Sequence, residues 1–292
     1  MTQKKGTRVG QGFVRQFKEE KGLTIVYIVL RIAVVGVLVA QALNKNYYDV
    51  FLCVLTLVLF TLPGLVERKF RIDVPNTLEI IILLFIFAAE ILGEIRSFYL
   101  TFPFWDTMLH TINGFMCAAI GFALVDILNR SDRVTLELSP FFMAVVAFCF
   151  SMTIGVLWEF FEYGMDVFFH MDMQKDTVLN AITSVMLNPD GANAAVTING
   201  IEDVIVVANG KQISLGLGGY LDIGLWDTMK DMLVNFVGAV VFSVIGFFYV
   251  KSRGKGKFVR RFILRRIAEP AETEGQKETC PKLPRDRRKG KR

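Results

Sequence analysis

Residues 106–128 of the chain are DTMLHTINGFMCAAIGFALVDIL, an apolar stretch whose polar residues lie mostly near its start. As an α-helix, about 20 apolar residues span the hydrocarbon core of a membrane, which is roughly 30 Å thick. Five further blocks have a similar length and composition, and they cover about 24–43, 50–66, 78–99, 140–169 and 229–250. The sequence therefore predicts an all-α membrane protein, a bundle of six transmembrane helices.

The composition of the whole chain agrees with a membrane protein. Its 292 residues are 53% hydrophobic and 21% charged, and the mean hydropathy is +0.44. Because the apolar residues are concentrated in blocks, a soluble globular domain, a coiled coil and a disordered protein are excluded. Of the four cysteines, Cys53, Cys117 and Cys149 lie in apolar blocks and Cys280 in the polar C-terminal region. This spacing predicts neither a disulfide nor a cysteine-based zinc site.

Lysine and arginine are distributed unevenly around the apolar blocks. In membrane proteins these residues accumulate in the short cytoplasmic loops. With six helices, the basic segments fall on one side; they are 4–21, 68–71, 130–133 and 251–257. We therefore predict a multi-pass protein of the cell membrane with both termini in the cytoplasm. The net charge of +5 arises from these flanks, which indicates contact with membrane lipids rather than with nucleic acid.

The segments outside the blocks complete the predicted organisation. The first block ends in small residues, so a cleaved signal peptide is an alternative for it. The charged residues 1–23 before this block and Arg31 within it favour an anchored helix that follows a cytoplasmic N-terminal segment. The transmembrane domain then covers 24–250. Residues 251–268 alternate apolar residues with arginine at helical spacing, which predicts an amphipathic helix at the membrane surface, and 269–292 is predicted to be a disordered tail.

The connection 171–226 is predicted to be external and to contain a small β-hairpin or meander between helices five and six. Asn199-Gly200 and Asn209-Gly210 are pairs that type I′ hairpin turns favour. They separate three short runs rich in β-forming residues. The predicted strands cover 196–198, 201–208 and 211–215. This element could be a spacer between the last two helices or a lid over a site at that face.

Ionisable residues inside the predicted helices carry the functional signal, because each one costs about 2.5–3.5 kcal/mol to insert. The last four blocks present such residues at three- and four-residue spacing, so that those of each block share a helix face. With the predicted topology, all of them fall in the outer half of the membrane. They are Glu90 and Glu94; Asp106, His110 and Asn113; Glu159, Glu162 and Asp166; and Asp227, Asp231 and Asn235. Four helices can therefore converge on one acidic pocket that opens to the exterior.

A short internal repeat links two of these helices. Residues 105–108 are Trp-Asp-Thr-Met, and 226–229 are identical. The repeat brings His110 into register with Asp231. Part of the match reflects the preference of tryptophan for the interface and of aspartate for a helix start. Two parallel helices with equivalent side chains would suit a shared metal ion or a pseudo-symmetric site.

The predicted pocket favours cation chemistry. Crowded carboxylates repel one another, and they either take up protons or hold a cation. Carboxylate, imidazole and amide groups together suit Mg²⁺, Mn²⁺, Ca²⁺ or a mixed-ligand Zn²⁺ site. The predicted metal ligands are Asp106, His110, Glu162, Asp227 and Asp231. The predicted catalytic residues are Glu159, Glu162 and Asp231. The predicted substrate-binding residues are Glu90, Glu94, Asn113, Asp166 and Asn235.

Two other functions could use the same residues. A cation- or proton-coupled transporter would move its ion along the carboxylates, and a scaffold without catalysis would use them as interhelical hydrogen bonds. A transporter should carry polar residues through the inner halves of the helices, but 115–125 and 239–249 are almost wholly apolar. This favours a one-sided pocket over a pore. The sequence contains no P-loop, HExxH or GxSxG motif.

The polar motifs resemble those of a known family. Over about 78–250 the chain resembles the YjdF-like integral-membrane proteins and, more distantly, the VanZ-like proteins. The matching residues are Asp106, His110 and Gly114; Trp158, Glu159 and Glu162; and Asp227, Asp231, Asn235, Gly238 and Ala239. The chain departs from the family pattern in its long loop and its basic C-terminal region. The VanZ-like name is associated with resistance to a glycopeptide antibiotic, so that resemblance implies work at the outer envelope, whereas the YjdF-like resemblance implies topology and a site.

These observations together predict an envelope membrane protein with an outward-facing pocket of acidic residues and histidine. We expect this pocket to bind a divalent cation and to bind or act on a lipid or a lipid-linked phosphate headgroup at the outer leaflet. If the protein is an enzyme, the expected reaction is metal-dependent hydrolysis of a membrane-associated substrate. The transporter and the scaffold remain the alternatives.

Overall fold

A computed structural model of the chain describes residues 21–70, 72–129, 137–252, 259–262 and 264–266. It is mostly helical, and short strands form antiparallel pairs. The α-helices are α1 (Lys21–Leu43), α2 (Tyr47–Leu59), α3 (Leu62–Phe70), α4 (Asn76–Ile86), α5 (Phe98–Thr101), α6 (Trp105–Asn129), α7 (Pro140–Phe169) and α8 (Leu225–Lys251). A π-helical segment, Phe87–Ile95, continues α4.

Within the described ranges, five helices are long and apolar enough to cross a membrane. They are α1, the combined span Tyr47–Lys69 of α2 and α3, α6, α7 and α8. Many large apolar side chains on these helices are exposed, including Ile32 and Phe160, as expected for surfaces that contact lipid tails. The prediction of a multi-pass helical membrane protein is therefore confirmed, with five of the six predicted blocks forming single long spans.

The third block departs from the predicted continuous α-helix over 78–99. Its α-helical part ends at Ile86, and the following nine residues are π-helical up to Ile95. Ser97 then turns the chain with a φ of 55°. The hydrogen bonds of a π-helix join residues five apart, so the backbone of this segment is wider than that of an α-helix, but residues four apart such as Glu90 and Glu94 still lie on nearly the same side. The predicted α-helical form of 78–99 is therefore wrong from Phe87 onward, whereas the shared face of Glu90 and Glu94 stays a prediction.

The boundaries of α7 and α8 follow from local residue chemistry. Ser139 precedes α7, and its Oγ accepts the N–H of Phe142 at 3.2 Å, which caps the helix start. His170 ends α7 in the left-handed conformation, with a φ of 55°. Gly224 precedes α8 with a φ of 86°, a conformation that glycine adopts without steric cost. These two residues therefore set where α7 ends and where α8 begins, on either side of the connection 171–226.

The helices form two packed groups. Helices α6, α7 and α8 pack against one another, and the start of α4 joins their apolar core, in which Leu78, Phe122, Met143 and Phe242 are fully buried. A second core joins α1, α2, α4 and the π-helical segment. The three long helices α6, α7 and α8 therefore form the frame on which the polar residues are positioned.

Helices α6 and α8 are in backbone contact. A Cβ atom added to Gly238 would lie 2.2 Å from the carbonyl oxygen of Thr111, and one added to Gly114 would lie 2.1 Å from the carbonyl oxygen of Asn235. Small residues allow such close approach between membrane helices. Gly114 faces Asn235 in the same register that pairs the two Trp-Asp-Thr-Met sequences. The structure thus confirms that the two helices run in parallel with this register.

The connection between α7 and α8 holds three antiparallel strand pairs. In order along the chain the strands are β2 (Thr177–Leu179), β3 (Ala181–Ser184), β4 (Val196–Asn199), β5 (Ile205–Ala208), β6 (Lys211–Ser214) and β7 (Tyr220–Asp222). Strand β2 pairs with β7, β3 with β4, and β5 with β6. A further pair joins β1 (Ile72–Asp73) to β8 (Arg265–Arg266).

The hairpin turn at Asn209-Gly210 is confirmed, whereas the three-stranded meander is wrong. Asn209 and Gly210 both have positive φ, 51° and 74°, as a type I′ turn requires. Of the other pair, only Gly200 has a positive φ, and Asn199 remains in strand β4, which pairs upstream with β3. The expected hairpin between 196–198 and 201–208 therefore does not form.

Asp203 fixes the entry to the hairpin instead. Its carboxylate accepts hydrogen bonds from the Ser214 hydroxyl and from the backbone N–H groups of Gly216 and Val204, the latter two at 2.8 Å. The bond from Ser214 and the bond from Gly216 hold the pKa of Asp203 below its ordinary range. This carboxylate thereby ties both ends of the β5–β6 hairpin together.

The C-terminal region differs from the amphipathic surface helix predicted over 251–268. Residues Val259–Arg261 form a 3₁₀ turn, and β8 pairs with β1. Val259, Phe262 and Leu264 are buried in the main core, because their apolar side chains pack against the helices instead of facing lipid. The remainder of the predicted helix, residues 1–20 of the N-terminal segment and the predicted tail 269–292 lie outside the described residues.

Candidate functional site

His110 lies where α6, α7 and α8 meet, and its imidazole is buried, with 8% exposure. Its Nε2 atom is 3.5 Å from Asp106 Oδ1 and 3.8 Å from Asp231 Oδ2. Its Nδ1 atom is 3.8 Å from Glu159 Oε1. We refer to Asp106, His110, Glu159, Glu162 and Asp231 as the His110 cluster. Three helices contribute to it, so its geometry depends on their packing.

The spacing of the His110 cluster fits a metal ion. One ligand atom from each of Asp106, His110 and Asp231 lies within 4.8 Å of the others, and the same holds for His110, Glu159 and Glu162. Metal–ligand bonds of about 2.0–2.6 Å place two ligands of one ion roughly 3–5 Å apart. Each of the two groups therefore has the dimensions of a metal site, and His110 belongs to both.

Three carboxylate oxygens of the His110 cluster are buried without a hydrogen-bond partner among the residues that the structure describes. They are Asp106 Oδ2, Glu159 Oε2 and Asp231 Oδ1. Asp231 is only 1% exposed and Glu159 only 5%. A buried acceptor without a partner costs free energy, and an ion is one of the accepted explanations. We call these atoms the unpartnered oxygens.

Lys230 lies at the open side of the His110 cluster, and the sequence analysis did not identify it. Its Nζ atom is 3.2 Å from Asp227 Oδ1, 3.7 Å from Asp106 Oδ2 and 3.8 Å from Asp231 Oδ1. The side chain is 43% exposed, so the ammonium group lies between solvent and the carboxylates. The sequence did contain a signal for Lys230, because it lies between Asp227 and Asp231 at the start of an apolar block. A lysine inside a membrane helix is as costly as a carboxylate, which indicates a functional residue.

Asp166 and Asp227, predicted for substrate and metal binding, hold the connection after α7 in place. Asp166 accepts the backbone N–H groups of Met173 and Gln174 at 2.6 and 2.9 Å. Asp227 accepts the backbone N–H of Lys175 at 2.8 Å. The end of α7 and the start of α8 are thus tied through one short segment beside the cluster. Neither carboxylate belongs to the two metal-sized groups.

Glu162 is oriented from its own helix. The indole Nε1 of Trp158 donates a hydrogen bond to Glu162 Oε1 at 2.8 Å, across one turn of α7. Glu162 is buried, and its other neighbours in the site are His110 and Glu159. Trp158 and Glu162 are two of the residues that carry the resemblance to YjdF-like proteins. In the structure they are in direct contact, and this hydrogen bond fixes the position of the Glu162 carboxylate.

Asn113 and Asn235 lie one turn deeper and join the helices. Asn113 Nδ2 donates to Asn235 Oδ1 at 3.3 Å. Asn235 is 1% exposed, and a Cβ added to Gly155 of α7 would lie 2.6 Å from its Nδ2. Ser151 of α7 donates to the carbonyl oxygen of Gly114 at 2.7 Å. These groups form the floor of the site, and the prediction that the two asparagines bind substrate stays a prediction.

Aromatic side chains fill the space beyond this floor. The ring centroids of Phe115 and Phe242 are 5.0 Å apart, and Phe262 lies 5.4 Å from Phe115 and 6.1 Å from Phe242. Phe122 adds a further contact with Phe242 at 6.1 Å. Packed rings of this kind present apolar surface rather than ligands for an ion. Beyond the floor the described core is mainly apolar, although Ser243 of α8 and Asp126 of α6 are buried polar side chains there.

Glu90 and Glu94 do not belong to either of the metal-sized groups of the His110 cluster. They lie on the π-helical segment, where Glu90 is half-buried and Glu94 is exposed. Among the described residues, no hydrogen bond or ion pair joins either of them to the His110 cluster. Of the four helices expected to converge, three meet at His110. A substrate-binding role for Glu90 and Glu94 stays a prediction.

Comparisons with known proteins place the chain in a family. Residues 26–252 match the family model described as Predicted membrane protein (DUF2238). A protein of Thermotoga maritima described as an uncharacterized protein is 26% identical over 128 residues, which are 42% of this chain and 64% of that relative. No solved structure matches the chain. Neither match names a VanZ-like protein, so that resemblance stays a prediction.

The family match covers the site as well as the fold. It begins within α1 and ends just after α8, so it includes most of α1, the other four long spans and every residue of the His110 cluster. Because it covers well over half of the sequence, the chain belongs to the family of predicted membrane proteins DUF2238.

Proposed function

We propose that the His110 cluster binds a divalent cation and that this cation holds the phosphate headgroup of a lipid or lipid-linked substrate. The observation that carries the proposal is the set of three unpartnered oxygens around one buried imidazole. A cation would give partners to two of these oxygens, Asp106 Oδ2 and Asp231 Oδ1, and would compensate the burial of several carboxylates. Oxygen and imidazole ligands suit Mg²⁺, Mn²⁺, Ca²⁺ or a mixed-ligand Zn²⁺ site.

The proposed ligands are Asp106, His110 through Nε2, and Asp231. A single imidazole ligates one ion through one nitrogen, and the other nitrogen is then available to a second partner. His110 Nδ1 lies 3.8 Å from Glu159 Oε1, which supports a carboxylate–histidine–metal arrangement. In this assignment Glu159 orients the imidazole, and Asp231 is a ligand rather than a general base.

The same geometry supports hydrolysis as the reaction, if the protein is an enzyme. A bound cation polarises a phosphoryl group and makes a metal-bound water more acidic. Glu159 and Glu162 are the carboxylates beside the proposed ligands, and either could accept a proton from that water. The aromatic packing of Phe115, Phe242 and Phe262 beyond the floor favours this one-sided site over a transport path.

We further propose that the site faces the exterior of the cell membrane and that both termini are cytoplasmic. The basic flanks of the apolar blocks support this orientation. It requires that α4 and the π-helical segment, Asn76–Ile95 together, make a sixth crossing. The resemblance to YjdF-like proteins, which the family match agrees with, favours the same topology.

Cysteine labelling at two positions tests the sixth crossing. In a cysteine-free background, Asn44→Cys and Asn193→Cys place exposed thiols in the α1–α2 turn and in the connection after α7. With the sixth crossing, both should react with a membrane-impermeant reagent added outside, and Ser252→Cys should not. Without it, the residues between 44 and 193 cross the membrane an odd number of times, so the two labels would fall on opposite sides.

Melting curves with single cations test the metal site. Protein purified in detergent and treated with chelator should melt at a higher temperature after Mg²⁺, Mn²⁺, Ca²⁺ or Zn²⁺ is added. A ligand that binds only the native state adds about 2.7 kcal/mol of stability at 100 times its Kd. The cation that produces the largest rise identifies the preferred metal. Identical curves with all four cations and with chelator would rule out the proposed site.

A further inference from the structure

We propose that Lys230 is a built-in counter-ion which the divalent cation displaces from the His110 cluster, and that the displaced ammonium group then binds the substrate phosphate beside the cation. This inference rests on the proposed metal site. It adds Lys230 as a residue that recognises the phosphate. It also predicts an order of binding, in which the divalent cation binds before the phosphate.

The first support is where the unpartnered oxygens point. Two of the three, Asp106 Oδ2 and Asp231 Oδ1, are the atoms that lie 3.7 and 3.8 Å from Lys230 Nζ. Hydrogen bonds between ammonium and carboxylate are about 2.7–2.9 Å long. The ammonium therefore neutralises these oxygens from a distance without bonding to them. A divalent cation that ligates the same two oxygens competes with Lys230 for them.

The second support is the burial gradient across the site. Asp231 is 1% exposed and Lys230 is 43% exposed, so the carboxylate lies below the ammonium group. Lysine carries its charge on a flexible four-carbon stem, which lets Nζ move outward while the α8 backbone stays fixed. Repulsion between the two cations drives the ammonium in that direction, towards the open side of the site.

The displaced position suits a phosphate group. Before the cation binds, the carboxylates of Asp106 and Asp227 lie 3.7 and 3.2 Å from the ammonium, and their negative charges oppose the binding of an anion beside it. After the exchange, the same side presents a divalent cation and a lysine, which binds phosphate as a point charge. Phosphate binding should therefore depend on prior cation binding, and the two are thermodynamically linked.

The test uses the full chain in detergent, with Mn²⁺ as the cation probe. Lys230→Met removes the competing charge, so Mn²⁺ should bind at least about tenfold more tightly, whereas phosphate added to the Mn²⁺-loaded variant should bind at least about tenfold more weakly. Phosphate binding is measured in two arms, with inorganic phosphate and with phosphatidic acid in mixed micelles. Binding in both arms indicates recognition of the phosphate alone, and binding of phosphatidic acid only indicates that the lipid is required.

Two variants serve as controls. Lys175→Met removes a lysine at the same end of the bundle whose Nζ lies 4.0 Å from Asp172 and whose contact with Asp227 is through the backbone N–H. It should leave both affinities close to those of the wild type. Lys230→Arg keeps the charge and should restore both the Mn²⁺ and the phosphate affinities towards wild-type values.

The outcomes separate this inference from the proposed function. Mn²⁺ binding that is unchanged in Lys230→Met overturns the counter-ion role and leaves the metal site standing. Absence of phosphate binding to Mn²⁺-loaded wild type in both arms overturns the phosphate role. Mn²⁺ binding to neither protein overturns the proposed function itself. If Mn²⁺ binds to the Lys230→Met variant but not to the wild type, the counter-ion role is supported and a metal site in the wild type is contradicted.

Discussion

Gly238→Ala should destabilise the protein severely, although it adds a single methyl group. The new Cβ would lie 2.2 Å from the carbonyl oxygen of Thr111 and 2.8 Å from the backbone nitrogen of Phe115. Both contacts are with backbone, so no side-chain rotation relieves them and α6 and α8 must separate. Overpacking costs about 1–3 kcal/mol and occasionally more, and we expect a loss at or above the upper end. The measurement is thermal melting of purified protein in detergent without added cation.

Gly36→Ala is the matched control for this prediction. Gly36 is also a helical glycine, in α1, but among the described residues nothing outside its own stretch of helix lies within 4 Å of an added Cβ. Alanine is about 0.8–1.0 kcal/mol more favourable than glycine within a helix, so this variant should be as stable as the wild type or slightly more so. Equal melting temperatures for the two variants would show that the α6–α8 backbone contact is not as close as described.

His110→Ala should abolish the rise in melting temperature that a divalent cation produces. His110 is the residue that both metal-sized groups share. Its substitution therefore removes the imidazole ligand whichever of the two groups binds the cation. The stabilisation of about 2.7 kcal/mol expected at 100 times the Kd should then disappear. Folding should persist, because the α6–α8 contact and the apolar core do not depend on the imidazole. The measurement is the cation melting series applied to the variant.

The other histidine of the chain provides the control. His170 ends α7 with a φ of 55°, so His170→Asn is the suitable change, because asparagine tolerates the left-handed conformation. This variant should retain the full cation response. If instead His110→Ala fails to accumulate in the membrane while His170→Asn does, the polar residues serve to hold the helices together, and the scaffold alternative gains.

The long spans were predictable because length and hydropathy are local properties. A block of about 20 apolar residues is sufficient to predict a crossing helix. Five of the six blocks each correspond to one long apolar span. The block 78–99 has the same composition, but its hydrogen-bond pattern changes at Phe87. In this segment the ring of Tyr99 packs directly against Gly93, a contact that no hydropathy pattern encodes.

Helical spacing predicted which residues face the site but not which partners they take. Asp106, His110, Glu159, Glu162 and Asp231 meet as expected, because residues three and four apart share a helix face. Asp166 and Asp227 lie on those faces too, but nearby backbone N–H groups of the connection after α7 occupy their carboxylates. Whether such a carboxylate binds a ligand or accepts backbone N–H groups depends on where the loop 170–175 lies. This loop has no periodic sequence pattern from which its position could be predicted.

The same limit explains the errors in the β-structure and at Lys230. An Asn-Gly pair forms a type I′ turn only when both residues adopt positive φ, and Asn199 is held in a strand by pairing with β3. Lys230 was missed because the site prediction considered only carboxylate, imidazole and amide side chains. Its contacts with Asp106, Asp227 and Asp231 become visible only when α6 and α8 are placed side by side.

Pulsed electron paramagnetic resonance of Mn²⁺ bound to the protein tests the central proposal most directly, because it detects nitrogen coordinated to the metal. The chain has two histidines, so the source of an imidazole signal can be assigned by substitution. The metal site at the His110 cluster predicts imidazole nitrogen coupling in the wild type and in His170→Asn, and its loss in His110→Ala. Bound Mn²⁺ without nitrogen coupling in the wild type, or coupling that persists in His110→Ala, would contradict it.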